Sequence, residues 1–198
     1  MRKICYGCAM SLDGYIAGPG GEADWIVMDP DIDFQAAAER FDTYLMGRRT
    51  FEATGGRDGS SPGMRTFVFS RTLQQKDYRK ITIVGENWRD VVRSLREQPG
   101  KDVWLFGGGD LFRSLAADGF VDTVEVAVMP VILGGGIPLI AEPTSRIALT
   151  LTEQRTYEKT GIVSLVYAVS DARGERSRPG RASTPPAEGR QPEPRARR

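Results

Sequence analysis

Three short stretches place phosphate-type donors directly behind an apolar run. In residues 102–115, DVWLFGGGDLFRSL, Val103 to Phe106 suit a buried strand. Gly107, Gly108 and Gly109 follow, then Leu111, Phe112 and Leu115 at helical spacing. A helix that starts there offers an anion its unpaired N–H groups and the positive end of its dipole. Glycine lets the backbone approach a phosphate with no Cβ between them. In the second stretch, YLMGRRTFEATGG, Gly47, Arg48, Arg49 and Thr50 lie between a strand and a short helix. The planar fork of donors on arginine suits phosphate oxygens. The third, TFVFSRTL, ends a strand in Ser70, Arg71 and Thr72. One dinucleotide carrying a pyrophosphate and an additional phosphate would need about this set of donors. Taken singly, the glycine run also fits a tight turn, and an arginine pair also fits a solvated face. The run is not G-x-x-x-x-G-K-[ST], and Phe112 stands where G-x-G-x-x-G has its last glycine.

Composition removes other chemistries. The chain has no histidine, so it cannot supply a Ser-His-Asp triad, a Cys-His pair or a histidine zinc site. An acid or base must be Asp, Glu, Lys, Tyr, Cys or a water. Cys5 and Cys8 form a C-x-x-C inside an alternating strand. Residues three apart there face opposite sides, so neither a disulfide nor a shared metal is expected. A net charge of +1 with 40% apolar residues is that of a globular protein and suggests neither a nucleic-acid nor a membrane partner. No apolar run approaches the ~20 residues that span a bilayer. The N-terminal MRKICYGCAMSLDGYIA lacks a signal-peptide pattern, so a cytoplasmic location is expected.

These donors need strands and helices to hold them. Strands are expected at 3–9, 43–46, 66–70, 81–84, 103–106 and 123–129. An antiparallel hairpin of 149–157 and 162–169 is expected around EKTG. Helices are expected at 34–41, 49–53, 88–97 and 111–117. This alternation implies an α/β sheet, mostly parallel in its first part. Composition changes near Ser170. The segment 171–198 has eight arginines, four acids and five prolines, with no Val, Ile, Leu, Phe, Tyr or Trp. It cannot bury apolar surface and is expected to be a disordered Arg/Pro-rich tail behind one domain, 1–170.

In order along residues 1–170, AMSLDGYIA, ADWI, LMGRRTFE, VFSRTL, LFGGGDLF, PVILGGGIPL and the terminal hairpin resemble the dihydrofolate reductase superfamily. The branch most resembled holds the reductase domain of bacterial riboflavin biosynthesis and its stand-alone relatives. The resemblance implies a mostly parallel central sheet flanked by helices and ending in an antiparallel C-terminal hairpin. It implies an NADPH-dependent reductase, with Gly47, Arg48, Arg49 and Thr50 at phosphate and adenosine, Ser70 and Arg71 at the 2′-phosphate end, and Gly107, Gly108, Gly109, Asp110 and Leu111 at the pyrophosphate. Ala9, Ile16 and Ala17 would border the nicotinamide.

 The chemistry implied is hydride transfer from the nicotinamide to a C=N or C=O carbon of a small heterocycle, pyrimidine or pterin-like, or of a carbonyl compound. The similarity is to the 5-amino-6-(5-phosphoribosylamino)uracil reductase of riboflavin biosynthesis.

In the folate enzymes an acid at the start of the first helix grips the pterin. Its spacing from MGR lands on Asp31 here, with Asp29 and Asp33 as close rivals, and MDPDIDF also reads as a helix cap. Asp13 in SLDG and Trp25 in ADWI line the site by resemblance. Their other readings are a turn carboxylate and a core aromatic. GGGIPL, residues 134–139, is read as a loop near the substrate pocket or a turn before the hairpin. No arginine matches the one that holds a folate glutamate, and no H-x-E…C-x-x-C deaminase signature is present. A homodimer is expected from the resemblance alone. The alternative function is a non-catalytic nucleotide-binding or regulatory module on the same fold.

Overall fold

Alternating apolar residues build the sheet. The computed structural model describes residues 1–56, 63–142 and 145–170, and the expected 171–198 tail lies outside them. The elements in chain order are β1 (Ile4–Ser11), β2 (Tyr15–Ala17), α1 (Phe34–Glu39), β3 (Phe41–Gly47), α2 (Arg48–Ala53), β4 (Arg65–Phe69), β5 (Ile81–Val84), α3 (Trp88–Glu97), β6 (Asp102–Gly107), α4 (Gly109–Ala117), β7 (Thr123–Met129), β8 (Ile137–Pro138), β9 (Leu149–Tyr157) and β10 (Ile162–Val169). A 3₁₀ turn spans Gln75–Asp77.

Eight strands form one sheet in the order β5-β4-β3-β6-β1-β7-β10-β9. The first six are parallel to their neighbours, while β10 runs antiparallel to both β7 and β9. The carboxyl ends of the parallel strands therefore share one edge, the edge where open α/β sheets bind ligands. The turn between β9 and β10 reaches the same edge, because Val163 pairs with Val128 near the end of β7. No helix among the described residues is long and apolar enough to cross a membrane.

The larger core covers one face. Ile4 and Tyr6 of β1, Leu45 of β3, and Val103 and Leu105 of β6 pack with Val92 and Leu95 of α3 and Leu111, Phe112 and Leu115 of α4. The Tyr6 and Phe112 rings stack with centroids 4.0 Å apart. Each fully buried side chain of this size contributes about 1.5–3 kcal/mol, so α4 and its N-terminus are firmly seated. A smaller cluster of Met46, Phe51, Val68 and Ile81 holds α2. At the amino end of the strands, the buried Arg2 guanidinium donates to Asp42, to Thr43 Oγ1 at 2.8 Å and to the Lys101 carbonyl.

Several expected boundaries move. The helix expected at 34–41 ends at Glu39, and Phe41 opens β3. Phe41 is buried, its ring 5.1 Å from that of Trp104, so packing in the sheet overrides helical spacing. α4 starts two residues earlier than expected, at Gly109, because glycines carry no apolar periodicity. The 134–139 stretch contains β8, which pairs antiparallel with β2, so part of it is strand. Two- and three-residue strands leave no alternation to read.

Candidate functional site

At the shared edge, β3 ends in Gly47 and β6 ends in Gly107. A Cβ built on Gly47 would lie 3.9 Å from both the Gly107 carbonyl oxygen and the Gly108 nitrogen. One built on Gly108 would lie 3.3 Å from Thr50 Oγ1 in the first turn of α2. Thus the second strand end is brought against the first, with the Thr50 hydroxyl between them. Gly107 has φ of 133°, a conformation that favours glycine, and a cis peptide joins it to Gly108. Gly108 caps α4 with no side-chain hydrogen bond, which leaves the first-turn amides of Gly109, Asp110 and Leu111 without a side-chain cap. The Leu111 side chain is in the core, so only its backbone is available at this end. The Asp110 carboxylate is exposed and lies 3.7 Å from Arg113. Gly109 answers to a different neighbour. A Cβ there would be 2.9 Å from the Pro138 carbonyl oxygen and 3.1 Å from that of Leu139.

The third strand end lies next to the first. Phe69 of β4 pairs with Gly47, and Ser70 and Arg71 follow it. The Ser70 hydroxyl accepts the N–H groups of Thr72 at 3.1 Å and Leu73 at 3.0 Å, which turns the chain sharply. Ser70 and Arg71 line a cleft of about 310 Å³ with Leu73, Gln75, Ile83, Gly85 and Glu86. Gln75 braces that wall, donating to the Ile81 carbonyl at 2.9 Å and accepting from the Ile83 N–H at 2.8 Å. Arg48 is paired with Glu52 at 3.0 Å, whereas Arg49 and Arg71 make no ion pair among the described residues. A guanidinium in such a position can offer its donors to an anion.

A second group of expected residues stands at the end of β1. Ala9 is half-buried and pairs with Ala127 of β7. Ile16 and Ala17 belong to β2, and the positive φ of Gly136 brings its backbone so close to the Ala17 carbonyl that a Cβ would lie 2.2 Å from that oxygen. Asp13 ties this region together. Its carboxylate accepts the Ser11 hydroxyl at 2.7 Å, the Leu133 N–H at 3.1 Å and the Gly134 N–H at 2.8 Å. The Ser11 bond, joined by the two backbone bonds, outweighs desolvation and holds the carboxyl below its ordinary range. Trp25 is half-buried, and its indole N–H donates to the Glu22 carbonyl at 3.1 Å.

The three acids of MDPDIDF have separate roles. Asp33 caps α1, accepting the Ala36 N–H at 2.9 Å. Asp29 is buried and accepts the Asp31 N–H at 2.8 Å and the Thr160 hydroxyl at 2.7 Å. Burial works against its charge, but the Thr160 and Asp31 hydrogen bonds and the nearby Lys159 and Arg155 hold its carboxyl below the ordinary range. Asp31 is exposed and pairs with Lys159 at 2.9 Å, which raises the Lys159 ammonium. Asp31 is not brought to the glycine cluster by any contact among the described residues. Lys159 and Thr160 carried no signal in the sequence beyond a Gly-containing hairpin link. Their pairing with Asp29 and Asp31 spans about 130 residues and no local pattern encodes it.

The cysteines are free thiols, Cys5 buried and Cys8 packed against the helix-side core. Burial pushes the Cys8 thiol up to about 12, opposed in part by Tyr6. Among the described residues no group of three or more Cys, Asp or Glu side chains could hold a metal ion.

Known proteins are similar to this chain in sequence or in fold. The chain is 35% identical over 179 residues to the uncharacterized protein YyaP of Bacillus subtilis, an alignment covering 84% of this chain and 94% of that one. Its fold matches a solved candidate riboflavin biosynthesis protein from Shewanella sp. PV-4 at a TM-score of 0.72 and 25% identity, covering 86% of this chain and 100% of the other. It also matches dihydrofolate reductase from Enterococcus faecalis, solved with NADP(H), at a TM-score of 0.60 and 17% identity, covering 85% and 97%. The second of these likenesses speaks to fold alone. Residues 2–163 match the family model of the RibD C-terminal domain. With a match that takes in the strand ends, the glycine turn and most of the terminal hairpin, the chain belongs to the RibD C-terminal domain family.

Proposed function

We propose that this protein is an NADPH-dependent reductase of a small heterocyclic or carbonyl substrate. The observation that carries the reading is the meeting of Gly47, Thr50 and Gly108 beside the uncapped start of α4, with the Ser70–Arg71 cleft on the next strand. In this reading the amides at the start of α4 and the Thr50 hydroxyl hold the pyrophosphate, and Arg71 and Ser70 hold the 2′-phosphate. The nicotinamide then lies toward Ala9, Ile16 and Ala17, where its ring supplies the hydride when bound. This chain's residues bind, orient and exclude water around the reacting carbon. Asp13 supports that pocket by fixing the 131–134 segment to the end of β1. Asp31 and Trp25 belong to the substrate side in this account. Asp31 anchors its loop through Lys159, and a water delivers the proton to the substrate heteroatom.

The test is turnover. Purified full-length protein is given NADPH or NADH with a panel of pyrimidines, pterins and aldehydes, and loss of reduced nicotinamide absorbance is followed. Oxidation of NADPH with at least one substrate class and weaker use of NADH are expected. Tight NADPH binding with no turnover across the panel would favour a regulatory module instead. Failure to bind either cofactor would refute both readings.

A further inference from the structure

We infer that the tip of the β9–β10 hairpin is a positioning element of the substrate side, with Thr160 and Asp29 as the positioning pair. The claim rests on the reductase reading for what the cleft does, but its geometry stands independently. Residues 29–33 lead into α1, which buries none of its own residues and so cannot fix this segment by packing. What fixes it is polar. Asp29 is 2% exposed, and its two carboxylate oxygens divide their work: one accepts the Asp31 N–H, the other the Thr160 hydroxyl. The Asp29 carbonyl also accepts the Ile32 N–H at 3.1 Å. Lys159 holds the Asp31 carboxylate at 2.9 Å, and Arg155, seated over the Tyr157 ring, reaches the Asp31 carbonyl at 3.5 Å.

All three external contacts come from one hairpin, and that hairpin is rigidly registered on the sheet. Val163 pairs with Val128, and a Cβ on Gly161 would sit 3.5 Å from Pro130, just past the end of β7. The tip is thus fixed at the same edge as the glycine cluster, while the 29–33 segment hangs from it. Exposed apolar side chains flank this segment along the chain, Met28 at 63% and Phe34 at 47%. Neither belongs to a core cluster, so their placement follows from how residues 29–33 are held, and the Thr160–Asp29 bond ties that segment to the hairpin. A buried carboxylate that loses one of its donors is costly, so this contact has more leverage than the exposed Lys159–Asp31 pair. The hairpin tip therefore sets the substrate-side wall while the cofactor side, on β3, β4 and β6, is built without it.

The test uses full-length Thr160→Val, which keeps shape and removes the hydroxyl, and Thr160→Ser, which restores it. Amide hydrogen exchange at Asp31 and Ile32 is expected to accelerate about tenfold or more in T160V and to return to the wild-type rate in T160S. The NADPH dissociation constant, read by fluorescence, is expected to stay within about twofold in both. With a substrate that the wild type reduces, T160V is expected to raise KM with a smaller change in kcat. Unchanged exchange in T160V, failure of T160S to restore it, or parallel loss of NADPH affinity would overturn the inference. If the wild type neither binds nor oxidises NADPH, the reductase reading falls, and the exchange result alone decides whether the hairpin tip holds this segment.

Discussion

Replacing the three consecutive glycines one at a time by alanine separates packing, backbone conformation and phosphate access. Gly108 has φ −92° and ψ −168°, extended values that alanine adopts freely. Its new methyl would lie 3.3 Å from Thr50 Oγ1, so the hydroxyl must give by a few tenths of an ångström. Against that small cost stands a gain of about 0.4–1 kcal/mol from restricting the unfolded chain, so stability should barely change. The methyl would, however, stand between Thr50 and the start of α4. Displacing one charge-assisted hydrogen bond to the pyrophosphate costs about 1.5–3 kcal/mol, which raises the NADPH dissociation constant by about 10- to 150-fold. Gly109→Ala should do the reverse. Its methyl would meet two backbone carbonyl oxygens at 2.9 and 3.1 Å. Overpacking of this kind costs about 1–3 kcal/mol, or a Tm lower by about 2–4 °C for each kcal/mol. At Gly107 the nearest atom would be 3.8 Å away, so its cost of about 1–3 kcal/mol is conformational, from a φ of 133°. Denaturant unfolding gives the stabilities, and fluorescence titration gives the affinities. A folded Gly108→Ala protein that binds NADPH within about twofold of wild type would refute the reasoning, as would a Gly109→Ala protein of unchanged stability.

Arg71→Ala should weaken NADPH by about tenfold or more while leaving NADH nearly unchanged, since it removes an unpaired guanidinium at the cleft. Parallel titrations with the two cofactors check this. Asp13→Asn should destabilise the protein most at neutral pH. The folded carboxyl is held below its unfolded value of about 3.9, so its contribution is present above that pH and is lost as pH falls through the folded value. Denaturant midpoints measured down an acid pH series should show the wild type and D13N converging. Native protein at pH ~8 should react slowly with a thiol reagent, because burial keeps Cys5 and Cys8 protonated, and both thiols should react at once in denaturant.

The parts of the fold that were legible have strong period or punctuation. β5, β7, β9, β10 and α3 have the boundaries that alternation or helical spacing assigns them. Phe41 falls inside the expected helix because an aromatic after AAAER continues a helical stripe, while its burial against Trp104 is a tertiary fact. β2 and β8 were missed because pairing between distant two- and three-residue segments leaves no local trace. In the site, Gly47, Thr50, Gly108, Ser70 and Arg71 could be named from residue type at strand ends. The glycine run, though, has two purposes that look alike in sequence: Gly108 faces Thr50 and Gly109 faces the carbonyls before the terminal hairpin. Lys159 and Thr160 were illegible because their partners, Asp31 and Asp29, lie at the other end of the chain.

The most direct test is a crystal structure of the protein grown or soaked with NADPH. The pyrophosphate is expected within hydrogen-bond reach of the amides at the start of α4 and the Thr50 hydroxyl, with the 2′-phosphate against Ser70 and Arg71. A dinucleotide bound on any other surface, or phosphates remote from Gly108, would contradict it.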